Sequence, residues 1–498
     1  FGANKELYRE LNPEKINKKN DLQKIDVNIK KNIFSVLRHP TVSRKNFLIT
    51  IGDRNVGGLT FRDQMIGPLQ IPVADNAITL TNFGEITGEA MSMGEKSPVA
   101  LINPQAAGRL AITEAVLNLI SSGLNDLASI KLSANWMACP NTPQSNSDLF
   151  ETVKTVTQDI CKNWNLTIPV GKDSLSMETK WENHKNTSPE SLIVSAFAPI
   201  TDVHKSLTPM LKEDKDSLLV RINFGSEKNR LGGSILSHVI NKDFKECPDI
   251  ENYEAFPKIF NKICDFIKKE KIFAIHDISD GGLVAAVSEM MFASNLGIDL
   301  HLDANLDELN RILFSEEPGL LLQIPEQYFN ELKNDLEKIN FHKINQIGKI
   351  NNNDELKIKS KNLEEKIKYD DLMKHWSKVS SEIKKLRDNP ICAEEEEKSY
   401  LDRSNTILSQ SFNFEIPFPN HEKTKPTIAV VREQGVNGQT EMAAAFEKAG
   451  FVVTDVHMND LIKKRFELKS FQGIVFPGGF SFGDVLGAGK GWANTVLM

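Results

Sequence analysis

Apolar residues along this chain fall either into short unbroken runs or into longer stretches spaced near a helical turn. The clearest helical spacing is Ala106–Ile120 (AAGRLAITEAVLNLI), where Leu110, Ala111, Ala115, Leu117 and Leu119 recur close to 3.6 residues and predict an amphipathic helix. The unbroken runs read as strands: 47–52 (FLITIG), 192–200 (LIVSAFAPI), 217–225 (SLLVRINFG), 271–277 (KIFAIHD) and 319–324 (GLLLQI). Gly-Gly pairs at 232–233 and 281–282 mark turns into helices, and residues 326–389 carry polar helices with a Lys/Asn-rich hairpin-like excursion. Such mixing of strand and helix predicts α/β and α+β architecture.

The rhythm changes near both ends. Residues 1–33 are rich in Lys and Asn and read as a connector with some helix, and 388–425 read as a linker containing the acidic run Glu394–Glu397, expected to be solvated. From Thr427 the pattern becomes β-α-β-α-β: strands at 427–431, 451–456 and 473–477, helices near 440–449 and 460–466. This is the opening of a doubly wound sheet.

Composition narrows the picture only where it excludes something. At 498 residues the chain has room for roughly three domains. Charged residues are 26% and the net charge is −7, which gives no electrostatic case for a nucleic-acid or membrane partner. Its apolar runs are too short to span a bilayer. The five cysteines (Cys139, Cys161, Cys247, Cys264, Cys392) are odd in number and widely spaced, which fits a reduced, cytoplasmic setting better than a disulfide framework. The chain begins with Phe1 and stops at Met498 just after a glycine-rich stretch, so it reads as a window on a longer protein.

Several stretches could carry chemistry. In 276–283 (HDISDGGL) a strand runs into a helix. The glycines allow close approach to the backbone, the free N–H groups suit a phosphate, and Asp277 and Asp280 suit Mg²⁺. Ordinary helix capping by Ser279 or Asp280 explains the same letters. Residues 72–79 (PVADNAIT) place Asp75 in a loop or at a strand end. Glu114 and Asn118 are four apart on the predicted helix, so one face could offer two oxygens to one cation; by spacing alone an exposed polar pair is the commoner outcome.

Residues 52–68 (GDRNVGGLTFRDQMIGP) combine Arg54, Arg62 and Asp63 with glycines, as a loop closing over an anion would, or as a turn with surface arginines. Residues 169–177 (PVGKDSLSM) form a small-residue loop without Walker spacing. In the last block, Gly478-Gly479 after a strand could aim backbone N–H groups at an oxyanion. No Cys follows Cys392 and no His follows His457, so a Cys-His glutaminase triad is not complete here.

Taken in order, the stretches 39–75, 132–137 (LSANWM), 168–177, 276–283, 386–393 (LRDNPICA), 430–446 (VVREQGVNGQTEMAAAF) and 478–493 (GGFSFGDVLGAGKGWA) resemble the large, single-chain phosphoribosylformylglycinamidine synthase family almost end to end. That resemblance implies a second synthetase half built of an aminoimidazole-ribonucleotide-synthetase-like A subdomain (34–205) and B subdomain (206–387). A truncated, flavodoxin-like class I glutaminase domain (426–498) would follow.

It implies ATP or ADP and Mg²⁺ as cofactors, with metal ligands Asp75, Glu114, Asn118 and Asp277 and nucleotide contacts Ala74 and Ser279. It further implies an enzyme that makes formylglycinamidine ribonucleotide from formylglycinamide ribonucleotide, ATP and glutamine, monomeric when full length. In that enzyme ATP phosphorylates the amide oxygen and ammonia displaces phosphate. In this half the nucleotide is expected to be a tightly held, auxiliary one, and the polypeptide alone is expected to be inactive. Three alternatives remain: a non-catalytic, nucleotide-loaded structural module; another enzyme of the same superfamily, such as a selenophosphate synthetase or thiamine-phosphate kinase; and a simple binding scaffold in which all the motifs are turns.

Overall fold

The computed structural model describes residues 10–11, 25, 28–55, 57–251, 253–402, 413, 424–485 and 487–497. They divide into two compact units, one within 1–54 and 61–408 and one within 55–60 and 409–498.

The larger unit is built on two sheets. The first runs Thr60–Arg62, Ala77–Leu80, Gly88–Glu95, Ser191–Ile200, Lys131–Met137, Thr167–Ser174 in spatial order. Its centre is antiparallel, with Val194 opposite both Gly94 and Ala134, while Lys131–Met137 and Thr167–Ser174 run parallel. The helix Pro104–Ile120 lies on this sheet. Asn103 caps it by accepting the N–H of Ala106, and Pro104 sits in the first turn, where a missing N–H costs nothing.

This helix is not amphipathic as its spacing suggests: it is buried nearly all round. One side faces the sheet so closely that a Cβ on Gly94 would stand 2.2 Å from the Ala111 carbonyl oxygen. Another shares a core with the helix Phe256–Lys268. A helix covered on several sides keeps apolar residues on several sides, so its polar positions stand out.

The second sheet runs Ala274–Ile278, Gly319–Pro325, Ser217–Asn223, Ile344–Asn351, Gly297–His301, Glu355–Lys359, Glu364–Lys368. Only Gly297–His301 and Glu355–Lys359 pair in parallel. Ser217–Asn223 is buried at every position, as an inner strand covered on both faces should be. A second core surrounds the helix Gly282–Ser294, with Trp376 of the helix Tyr369–Arg387 fixed by its indole N–H to the Val42 carbonyl at 2.9 Å.

Three local expectations change. The apolar run at 47–52 is not a strand: Asn46–Ile49 form a short helix, with the Phe47 N–H given to Ser380 Oγ, while Leu48 and Ile51 face solvent. Residues 169–177 are not a loop but mostly the exposed edge strand Thr167–Ser174. The acidic run at 394–397 is helical (Pro390–Ser399) and only partly solvated. Glu396 holds the buried Lys384 ammonium at 2.6 Å and Glu397 holds the buried Arg44 at 2.7 Å, so the run neutralises two interior cations. Most of the expected N-terminal connector lies outside the described residues; its last residues begin the helix Ile29–Leu37.

The smaller unit has three parallel strands in the order Val452–His457, Thr427–Arg432, Gly473–Val475. The helix Gln439–Lys448 starts at Gly438, whose φ of +90° suits glycine. All five cysteines are unpaired, and burial pushes the thiols of Cys161 (to about 11), Cys247 (to about 12) and Cys264 upward. No described helix is long and apolar enough to cross a membrane.

Candidate functional site

The chemistry concentrates where the strand Ala274–Ile278 ends beside the helix Pro104–Ile120. Asp75 reaches this place from the turn between Ile71–Pro72 and Ala77–Leu80. The next residue anchors that turn: buried Asn76 donates its side-chain amide to the Asn118 carbonyl at 2.7 Å and to Ser121 Oγ at 2.6 Å. Asp75 Oδ1 meets His276 Nδ1 at 2.6 Å, and His276 Nε2 meets Glu289 Oε2 at 3.0 Å. Asp277 Oδ1 lies 3.5 Å from the same imidazole. Asp75, His276 and Asp277 each offer one ligand atom, all within 4.8 Å of one another.

Glu114 approaches this cluster from the helix, acting on Asp277, and Asn118 lies one turn further along; both are half-buried rather than exposed. Glu114 Oε2 accepts the Glu95 N–H at 2.8 Å, and its Oε1 accepts the Ser279 hydroxyl. Asn118 gives its amide to the Met93 carbonyl at 3.0 Å, which leaves its Oδ1 buried and without a protein partner. Ala74 is half-buried against the second core and donates its N–H to the Gln64 carbonyl. Asp75, Asp277, Glu114 and Ser279 are thus brought together from positions up to some 200 residues apart, while Asn118 lies one turn along the helix from Glu114.

Electrostatics set the character of the site. Burial raises the Asp75 carboxyl despite the neighbouring imidazole. Burial and the adjacent Asp75 raise Asp277 well above its ordinary value. Burial pushes Glu114 up to about 7, against the pull of Lys96. Burial alone would lower His276, but Asp75 and Glu289 overcome it and hold the ring well above its usual value. Carboxylates raised in this way are short of positive charge.

A divalent cation would supply that charge, and oxygen donors from Asp75, Glu114, Asn118 and Asp277 fit a hard ion such as Mg²⁺. The buried Asn118 Oδ1, which has no hydrogen-bond partner, is the kind of oxygen such an ion would take. His276, engaged on both ring nitrogens, orients Asp75 instead of adding a nitrogen ligand.

Four participants escape sequence reasoning: His276, Glu289, Lys96, and Glu316, whose carboxylate lies 3.0 Å from the Lys96 ammonium and accepts the Gly281 N–H. His276 adjoins Asp277 and could have been singled out; nothing in the letters ties Glu289, Lys96 or Glu316 to the site. Conversely, the arginines of 52–68 do not present a free anion fork. Arg54 is paired with Asp63, and Arg62 donates to Ser206 Oγ at 3.1 Å.

In the smaller unit, Gly479 has φ +146° and bridges Val436 in an isolated antiparallel pair, while nothing lies within 4 Å of a Cβ built on Gly478. A cavity of about 630 Å³ adjoins the pair, lined by Phe476, Ser481, Trp492 and Val496 among others.

Comparison with known proteins gives three collinear family matches: an FGAR-AT PurM_N-like domain over residues 44–199, the C-terminal domain of AIR synthase related proteins over 222–361, and a CobB/CobQ-like glutamine amidotransferase domain over 425–498. Among solved structures, Thermotoga maritima PurL complexed with FGAR matches at 12% identity over 69% of this chain and 53% of its own, with a TM-score of 0.49. A PurLQS structure from Thermotoga maritima matches at 11% over 85% and 58%, with a TM-score of 0.46. A HypE–HypF complex matches at 14% over 58% and 91%, with a TM-score of 0.44. The chain spans about half the length of the PurL chains it matches. Its two sheets with their helices are AIR-synthase-like domains followed by a glutamine amidotransferase domain, and this is the domain set of a phosphoribosylformylglycinamidine synthase.

Proposed function

We propose that this chain, carrying the domain set of a phosphoribosylformylglycinamidine synthase, is the part of an ATP- and glutamine-dependent ligase that binds a Mg²⁺–nucleotide at the Asp75–Asp277 cluster. The whole enzyme would convert formylglycinamide ribonucleotide to formylglycinamidine ribonucleotide in cytoplasmic purine synthesis.

One observation carries the reading. Asp75 and Asp277 bring carboxylate oxygens close to one another beside His276, Glu114 acts on Asp277 from the neighbouring helix, and all three carboxyls are raised above their ordinary values, a donor set suited to a hard cation. Asp75, Glu114, Asn118 and Asp277 would hold Mg²⁺, with Ala74 and Ser279 touching the nucleotide. When bound, the ion neutralises phosphate charge.

The chain's own residues do the rest. His276 fixes the Asp75 carboxylate in place, Asn76 ties its turn to the helix, and Glu114 joins the first sheet to the Ser279 turn. As the family resemblance implies, the nucleotide held here is proposed to be a retained one instead of one that exchanges at every turnover. Gly478-Gly479 is proposed as the oxyanion loop of the amidotransferase domain.

The test is ADP binding by calorimetry with and without Mg²⁺. Mg²⁺-dependent binding that is lost in both Glu114→Gln and Asp277→Asn supports the reading, and equal binding in all three proteins sinks it. Because no Cys follows Cys392, we propose that the chain alone does not hydrolyse glutamine. Robust glutaminase turnover by the purified chain overturns that part.

A further inference from the structure

Lys96 lies outside every expected ligand set, yet its ammonium is the most deeply buried lysine charge at the junction, with its side chain 5% exposed. It directly follows the strand Gly88–Glu95. It contacts Asp280 and lies 3.0 Å from Glu316 Oε2. The other Glu316 oxygen accepts the N–H groups of Gly281 at 2.9 Å and Ile235 at 2.8 Å. Gly281 has φ +85°, and a Cβ there would stand 2.8 Å from that of Ala285, so the turn is tightly defined.

The neighbour Glu95 works in parallel: its N–H goes to Glu114, which takes the Ser279 hydroxyl. Residues 95 and 96 therefore grip the Ser279–Gly282 turn twice, once through Glu114 and once through Asp280 and Glu316.

Charge gives the second strand of the argument. Asp75, Glu114, Asp277, Asp280, Glu289 and Glu316 act on one another around this turn, and the nearby cations are Lys96, His276 and Lys45. Asp280 and Glu316 are both drawn to Lys96. Without it, two more carboxylates would face Glu114 unneutralised. They would compete for free cations and repel a polyphosphate.

Resting on the Mg²⁺–nucleotide reading above, we propose that Lys96 is a positioning residue. It neutralises Asp280 and Glu316 beside the Ser279–Gly282 turn and so confines cation binding to Asp75, Glu114, Asn118 and Asp277. The pocket thereby accepts a metal-bound polyphosphate in preference to extra free cations.

The test reads two affinities of the full chain: ADP at saturating Mg²⁺, and Mn²⁺ without nucleotide. Lys96→Met is expected to weaken ADP about tenfold and tighten Mn²⁺ several-fold, because a change of one buried charge acts with opposite sign on an anion and a cation. Asp280→Asn is expected to move both affinities the opposite way, and Lys96→Arg to leave both near the wild-type values. A purely structural lysine would weaken both ligands together in Lys96→Met and leave Asp280→Asn unchanged, and that result overturns the proposal. Should Lys96→Met not fold, Asp280→Asn decides: tighter ADP with weaker Mn²⁺ supports it, and no shift ends it. Asp277→Asn is the control. If it keeps Mg²⁺–ADP binding, the site reading itself is wrong, and the role of Lys96 falls with it.

Discussion

The carboxylate junction and the Gly478-Gly479 loop both follow the end of a strand, but they are made of opposite materials. The junction is side-chain chemistry: Asp75, Glu114, Asp277 and His276 stand close together, the carboxyls raised from their ordinary ionisation by burial and the imidazole raised by its carboxylate neighbours against burial. The glycine loop is backbone chemistry: its one distinctive property is conformation, with Gly479 at φ +146° beside a cavity partly lined by apolar side chains. The first kind of site depends on long-range folding and holds charge. The second is local, and its function needs only N–H groups held at the right angle.

The largest expected difference lies in ligand removal. Asp75→Asn should cost at least about 100-fold in Mg²⁺–ADP affinity, and His276→Gln about 10–100-fold in metal affinity, the range for losing a group that orients a ligand. Calorimetry on both variants checks the ranking; an Asp75→Asn protein that binds normally would erase the contrast. Glycine substitutions in the 478–479 loop should leave this binding untouched.

Next comes pH. Glu114 holds its proton up to about 7 in the folded chain, whereas the unfolded chain releases it near 4.5. Between those values the folded state binds more protons than the unfolded one, so stability of the nucleotide-free protein falls as pH rises from about 5 to 7, by a few kcal/mol at most. Denaturant titrations at pH 5 and 7.5 read this. Glu114→Gln should flatten the slope, and a slope unchanged by that substitution would remove Glu114 from the account.

A smaller effect separates the two glycines. Gly479→Ala forces a side chain into a strained conformation, with its Cβ 2.6 Å from the Gly435 carbonyl oxygen, at a cost of about 1–3 kcal/mol. Gly478→Ala meets nothing within 4 Å and should be near neutral. Thermal melting of the two variants tests the difference; equal melting temperatures would show that conformation is not what the loop protects. Smallest is thiol chemistry: exposed Cys392 should alkylate readily at pH 8, while buried Cys161, Cys247 and Cys264 stay slow, as mass spectrometry would show.

Legibility in the sequence followed the same divide. Local patterns were readable: the β-α-β order after Thr427, the strand at 192–200 and the helix through Glu114 are all present. What failed was read locally but decided elsewhere. FLITIG has strand letters, yet the helix Tyr369–Arg387 beside it supplies Ser380 to a short helical turn. The glutamates of 394–397 look like solvated charge, but Lys384 and Arg44 need partners.

At the site, the spacing of Glu114 and Asn118 could be read as a pair but not as half-buried. Family resemblance, not periodicity, joined them to Asp75 and Asp277. His276 lay inside a motif already quoted. Glu289, Lys96 and Glu316 carry no local signature, since a buried ion pair across 184 residues leaves no periodic trace.

The most direct test is pulsed electron paramagnetic resonance of the full chain loaded with Mn²⁺ and ADP. The account predicts bound Mn²⁺ with phosphorus couplings from the nucleotide, absent in Asp277→Asn. Mn²⁺ bound without phosphorus coupling, or an unchanged spectrum in Asp277→Asn, would contradict it.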